Sequence, residues 1–140
     1  MKKFLFRAWQ WTWGLPQTLL GAVIYLCCPG CAHSRYRGTV VTHWKQKGSL
    51  GVGMFLFLGA CRSEEIQKQV LVHEYGHAVQ SLLLGPLFLP VMGIPSFLWC
   101  NLPFFRRLRR EKGVSYYAFY PESTANALGR LVTKERCDLK

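Results

Sequence analysis

Apolar blocks alternate with short polar punctuation along this chain, and the period of each block sets the expected element. Trp13 to Ala32 is a run of 20 residues without a charge. Leu19, Leu20, Val23, Ile24 and Leu26 within it predict an N-terminal helix that starts near Pro16 and stops before Pro29-Gly30. The preceding Met1–Arg7 reads as a short basic lead. A basic start before an apolar stretch resembles a secretion signal, but Pro29 sits just ahead of the only small-residue cluster. The cleavage site is therefore poor, and a retained helix is the expectation. Two β-like runs follow, residues 38–45 (GTVVTHWK) and residues 49–60 (SLGVGMFLFLGA), the second apolar on both faces. Gln46-Lys47-Gly48 between them predicts the turn of a β-hairpin.

Ser63 then offers a helix cap, and Glu64 and Glu65 suit the positive end of a helix dipole. The predicted helix continues through Ile66, Val70 and Leu71 to about Leu84, where Gly85-Pro86 ends it. Leu82 to Phe105 is 24 residues without a charge, longer than the roughly 20 residues needed to cross a bilayer. Gly85, Pro86, Pro90, Gly93, Pro95 and Pro103 interrupt it, which argues against a straight spanning helix. A membrane-surface, re-entrant or buried irregular segment fits better. A last helix is predicted from Pro121-Glu122 through Leu128 to Val132. The order of elements gives an α+β fold in one domain.

Composition narrows the partners. Half of the 140 residues are hydrophobic and 18 basic side chains face 7 acidic ones, a formal charge of +11. Such a chain suits an anionic membrane surface or nucleic acid. The charges flank the apolar stretches, with Arg106-Arg107-Leu108-Arg109-Arg110 directly after the longest one, so lipid is the expected partner and nucleic acid is not. Basic residues flank both stretches, 13–32 and 82–105, so charge does not orient them. The six cysteines, Cys27, Cys28, Cys31, Cys61, Cys100 and Cys137, lie mostly in or beside apolar segments and read as reduced and buried. Cys28 and Cys31 form one C-x-x-C, with no second pair to complete a zinc site.

The chemistry concentrates in His73-Glu74-Tyr75-Gly76-His77. Residues four apart on a helix share a face, so His73 and His77 can grip one ion. Glu74 lies about 100° round the helix, placed to take a proton from a water held on that ion. Zinc is the expected ion, and a catalytic zinc site needs a third protein ligand. No histidine follows His77, and Gln80 and Leu83 occupy the positions where the longer three-histidine pattern carries Gly and His. The downstream carboxylates are Glu111, Glu122, Glu135 and Asp138. Glu111 lies in the basic cluster, and Glu135 and Asp138 lie in a polar tail. Glu122 opens a predicted helix with Ala125, Leu128 and Leu131 able to pack behind it, and is the preferred ligand. Asn126, four residues on, can hydrogen-bond a ligand histidine. Tyr116, Tyr117 and Tyr120 are candidates to stabilise an oxyanion, though aromatic residues more often serve as core. His33 and His43 read as strand or surface residues.

His73-Glu74-x-x-His77 followed by Glu122-x-x-Ala125-Asn126 resembles the gluzincin metallopeptidases. The order of helix, hairpin, active-site helix and glutamate helix looks especially like the minigluzincins and small bacterial proteins carrying H-E-Y-G-H. The resemblance covers about residues 14–132, but rests on two short blocks. It implies a single minimal zincin-like domain, zinc on His73, His77 and Glu122, Glu74 as general base, and a peptide or protein substrate lying along an edge strand at about Val52–Leu58. It also implies a bacterial protein, placed by its apolar segments at the inner membrane. Asn126 departs from the family, which often has Asp there, and residues 85–115 form a longer insert than soluble members have. The competing expectation is a zinc-binding membrane or peptide-binding scaffold without turnover. An intact Glu74 argues against it, because structural zinc needs no general base. An intramembrane protease with a distal aspartate is excluded, since no Asp precedes Asp138.

Overall fold

The computed structural model describes residues 3–60 and 63–139. Among these the chain forms helices α1 (Lys3–Thr12) and α2 (Leu15–Leu26), then strands β1 (Ala32–Tyr36), β2 (Thr39–His43), β3 (Leu50–Val52) and β4 (Phe55–Leu58). Helices α3 (Glu64–Leu84), α4 (Ile94–Asn101), α5 (Pro103–Lys112) and α6 (Tyr120–Thr133) follow. The fold is α+β, as expected. The N-terminal lead is a helix: Phe6 and Gln10, one turn apart, are both buried, and Phe6 stacks on Tyr75 at 5.9 Å.

The sheet differs from the expected hairpin. Its strand order is β1-β2-β4-β3, with β2 and β4 parallel and the other two pairs antiparallel. The run 49–60 doubles back on itself at Gly53-Met54, so the hairpins are β3–β4 and β1–β2. All four residues of β4 are buried. A strand that is apolar on both faces belongs inside a sheet, which puts β4 between β2 and β3. The expected edge strand at Val52–Leu58 is therefore corrected: Leu50–Val52 is the edge on this side.

Helix α3 is the axis of the molecule. The Ser63 hydroxyl accepts the Ile66 N–H at 3.3 Å, capping the start. Every residue from Val72 to Ser81 is buried, because the sheet, α6 and the α1–α2 pair surround this helix. That enclosure explains why its sequence carries no single apolar stripe. The proline-rich run after α3 breaks into a 3-10 turn (Gly85–Leu87), a π-helical turn (Leu89–Gly93), α4 and α5, each with a proline in its first turn. Among the described residues no helix is long and apolar enough to cross a membrane.

The five described cysteines are free, as expected, but only Cys137 is buried; Cys61 lies outside the described residues. Cys27 at the end of α2 and Cys100 near the end of α4 are exposed.

Helix α6 lies against α3 at backbone distance. A Cβ on Gly76 would sit 2.0 Å from the Ala125 carbonyl oxygen, and one on Gly129 would sit 2.4 Å from that of Val72. This contact brings the first turn of α6 over the histidines. Gly76→Ala is expected to destabilise the fold by about 1–3 kcal/mol through overpacking. Without the contact, the same change would stabilise α3 by up to about 1 kcal/mol through helix propensity. The sign of the shift in urea midpoint decides between them.

Candidate metal centre

His73, Glu74 and His77 project from the enclosed middle of α3, and Glu122 and Asn126 from α6. Glu122 Oε2 lies 3.1 Å from His73 Nε2 and 3.6 Å from His77 Nε2. His73, His77 and Glu122 are all buried, and one ligand atom from each falls within 4.8 Å of the others. This group can hold a metal ion. The remaining carboxylates lie elsewhere on the surface: Glu111 pairs with Arg107, Glu135 with Arg37, and Asp138 with Arg136. His33 and His43 bond Thr42 and Ser34 within the sheet.

Each histidine is oriented by an amide. Asn126 Oδ1 lies 2.7 Å from His73 Nδ1, the contact expected for that residue. The same oxygen accepts the Cys137 thiol at 3.0 Å; burial pushes that thiol up to about 11, so it stays a donor. Gln80 Oε1 lies 2.8 Å from His77 Nδ1. Gln80 Nε2 in turn donates to the Pro121 carbonyl and the Thr124 hydroxyl, which fixes the amide with its oxygen toward the ring. Amide oxygens only accept, so both Nδ1 atoms carry the proton and both Nε2 atoms face the centre. The donor set is thus two imidazole nitrogens and one carboxylate oxygen, each supported from behind. Glu122 is supported as well, since its Oε1 accepts the Ser96 hydroxyl from α4.

Electrostatics follow from this packing. Burial alone would raise the Glu122 carboxyl, but its bonds to His73 and His77 outweigh that and hold it well below the usual carboxylate range. Burial alone would lower His77, but the Glu122 carboxylate outweighs it and raises the ring to about 9. The Glu122 carboxylate therefore favours a positive charge beside the two rings. Glu74 is buried too, and desolvation, only partly offset by the two histidines, raises its carboxyl. The Gly51 N–H donates to it from β3. The edge strand can come this close because a Cβ on Gly51 would lie 2.6 Å from the Glu74 carbonyl oxygen.

The centre opens into a cavity of about 590 Å³, walled on one side by β3 and on another by α4. Tyr116 and Tyr117 line it, and the Tyr117 ring meets His73 edge-on at 5.2 Å. Burial first, then the Glu122 charge, holds the Tyr116 hydroxyl well above its ordinary value, so it remains a donor. Tyr120 is not among the lining residues; its hydroxyl donates to the Val91 carbonyl at 2.6 Å. Gln80, Gly51 and Ser96 were not foreseen at the site. Gln80 could have been found one turn beyond His77 on the same helix face. Ser96 carries no signal, being distant in sequence and set within a proline-broken apolar run.

No protein-family model, curated protein or solved structure matches the chain. What the site can do therefore rests on its geometry.

Gln80→Ala and Asn126→Ala are each expected to weaken divalent-metal binding by about 10–100-fold, as read by competition with a chromophoric chelator. Metal must displace the His77 proton. Binding at pH 7 should thus release about one proton from that ring, and this release should vanish as pH rises past about 9. Calorimetry in buffers of different ionisation enthalpy measures the release. Metal affinity that does not change between these pH values would contradict the protonated ion-free centre.

Proposed function

We propose that the protein is a zinc-dependent metallopeptidase of the gluzincin type, with His73, His77 and Glu122 as ligands and Glu74 as general base. One observation carries the reading. Beside a three-ligand centre with both imidazole Nε2 atoms turned inward stands a second buried carboxylate, Glu74, that is not part of the ligand set and borders the cavity. A structural site has no use for such a group. Two nitrogens and one oxygen in a tight buried group suit zinc. When bound there, zinc supplies an open coordination position that acidifies a water and polarises a carbonyl.

The residues of this chain do the rest. Glu74, its carboxyl raised by burial, takes the proton from the attacking water and returns it to the leaving amine, so the peptide bond and one water become a carboxylic acid and an amine. Tyr116, kept as a donor in the cavity wall, hydrogen-bonds the oxyanion that develops on the former carbonyl oxygen. An extended substrate lies along β3, the edge strand next to Glu74, and pairs with its backbone. Asn126 and Gln80 hold the imidazoles in one tautomer throughout.

Wild type and Glu74→Gln, loaded with zinc, are to be compared on a fluorogenic peptide mixture with metal content measured on the same samples. The variant is expected to keep about one zinc and to lose about 10²–10⁴-fold in rate, the range for a general base. A variant that cleaves as wild type does would sink the mechanism. A wild type that holds zinc and cleaves nothing would favour the zinc-binding scaffold.

A further inference from the structure

The α1–α2 pair is built inside out. In α2, Gln17 and Thr18 are fully buried, whereas Leu19, Val23 and Leu26 are 48%, 59% and 74% exposed. In α1, Gln10 is fully buried while Phe4 and Trp9 are 79% and 57% exposed. Most of the buried polar groups bond one another and α3: Gln10 donates to the Ala78 carbonyl at 2.9 Å, Gln17 to Ser81 Oγ at 2.8 Å, and Ser81 to Gln10 Oε1 at 2.9 Å, while Gln17 Oε1 has no partner. Hydrogen bonds, with the core contacts of Phe6, Ile24 and Tyr25, tie these helices to the body, and the other large apolar side chains face out. Water as the only solvent gives the opposite arrangement.

The outward apolar face continues across the cavity mouth. Trp13 packs on Gly85, so the α1–α2 pair abuts the turn after α3. Leu20 of α2 and Ile94 and Phe97 of α4 line the cavity and are themselves 45%, 54% and 63% exposed. Residues that both line a cavity and meet solvent form its rim, so the rim is apolar along α2 and α4, while Lys47 and Asn101 add polar groups to it. Beyond it, α5 presents Phe104 followed by exposed Arg106, Arg107 and Arg110. Arg109 is committed elsewhere, over the rings of Trp99 and Tyr116.

We propose that the protein docks in plane on an anionic lipid bilayer through the outer faces of α1, α2 and α4, with the α5 arginines on the headgroups and the cavity mouth opening toward lipid. Helices of 10 and 12 residues are about 15–18 Å long at 1.5 Å per residue, too short for a hydrocarbon core of about 30 Å. They suit burial in the interfacial plane, where Trp side chains concentrate. Charge selects the occupant. A second copy would set two like-charged arginine rims of a +11 chain against each other, whereas anionic headgroups match them. If the peptidase reading holds, the substrate class is an apolar peptide segment at the membrane surface; the docking itself does not depend on that reading.

The test is flotation of the full chain with vesicles of equimolar phosphatidylglycerol and phosphatidylcholine, against phosphatidylcholine alone. Wild type should float with the anionic vesicles, with tryptophan emission shifted to the blue. Ile94→Asp with Phe97→Asp should lower partitioning by about tenfold or more, since both charges would enter the interface. Arg106→Glu with Arg107→Glu and Arg110→Glu should lower it by about a hundredfold, as each basic residue near the surface contributes about fivefold. Leu131→Asp is the control. Leu131 is 73% exposed but lies past Gly129, which packs on Val72, toward the far end of α3 from Gly85. That variant should float like wild type. So should Glu74→Gln and chelator-treated protein, which separates docking from the metal site. Absence of wild-type flotation, equal flotation of the Ile94/Phe97 variant, or a stable dimer that ignores vesicles would each overturn the proposal.

Discussion

A carboxylate with no solvent exposure stands between two imidazoles, and the fold is arranged around making that tolerable. Burying an ion without partners costs several kcal/mol, and a buried pair repays this only when its remaining hydrogen-bonding positions are filled. Here they are filled. Glu122 bonds His73 and lies 3.6 Å from His77 with one oxygen and accepts Ser96 on the other, while Asn126 and Gln80 complete the histidines. The contacts of Glu122 and Asn126 with the histidines require α6 to lie on α3 at backbone distance, which Gly76 and Gly129 permit. Gly76 sits inside the H-E-Y-G-H block itself, so one short segment carries two of the side chains that can hold a metal and the gap that admits the third.

Much of this was legible because it is local. Ser63, the paired glutamates and Gly85 bracket α3, and the prolines at 86, 90, 95 and 103 each open a new short helix. The i, i+4 spacing of the histidines and of Glu122 and Asn126 places each pair on one helix face. The expected Asn126 contact to His73 is present. The sheet was misread for a physical reason. Turn residues at 46–48 suggested a hairpin, but a strand buried on both faces, residues 55–58, must lie inside a sheet, and that constraint outranks turn chemistry. α1 was missed because two exposed tryptophans and a basic start conceal a two-residue inner face, Phe6 and Gln10. Ser96 could not be found, since only tertiary packing brings α4 to Glu122.

Composition reads differently once burial is known. Half of the chain is hydrophobic, yet several of the deepest side chains are polar: Gln10, Gln17, Thr18, Gln80 and Glu122 are at most 1% exposed. Apolar residues beyond the capacity of the small core lie on the outside of α1, α2 and the segment after α3. The uncharged runs at 13–32 and 82–105 are therefore two kinds of surface. Each has an inner side that hydrogen-bonds the body, through Gln17 to Ser81 in one and Ser96 to Glu122 in the other, and an outer side that is apolar.

These two surfaces bound the same cavity, and this links the chemistry to its surroundings. A low-dielectric rim strengthens every electrostatic interaction behind it. It favours the raised Glu74 carboxyl and the tight Glu122–histidine pairing. An apolar rim facing water would remain exposed at a free-energy cost and would admit solvent to the centre. Against a bilayer its α2 and α4 side is covered, which leaves a peptide the backbone of β3 beside Glu74 and polar wall groups such as Tyr116. The proposed membrane position and the proposed acid–base chemistry would then follow from one arrangement of α2, α4 and β3.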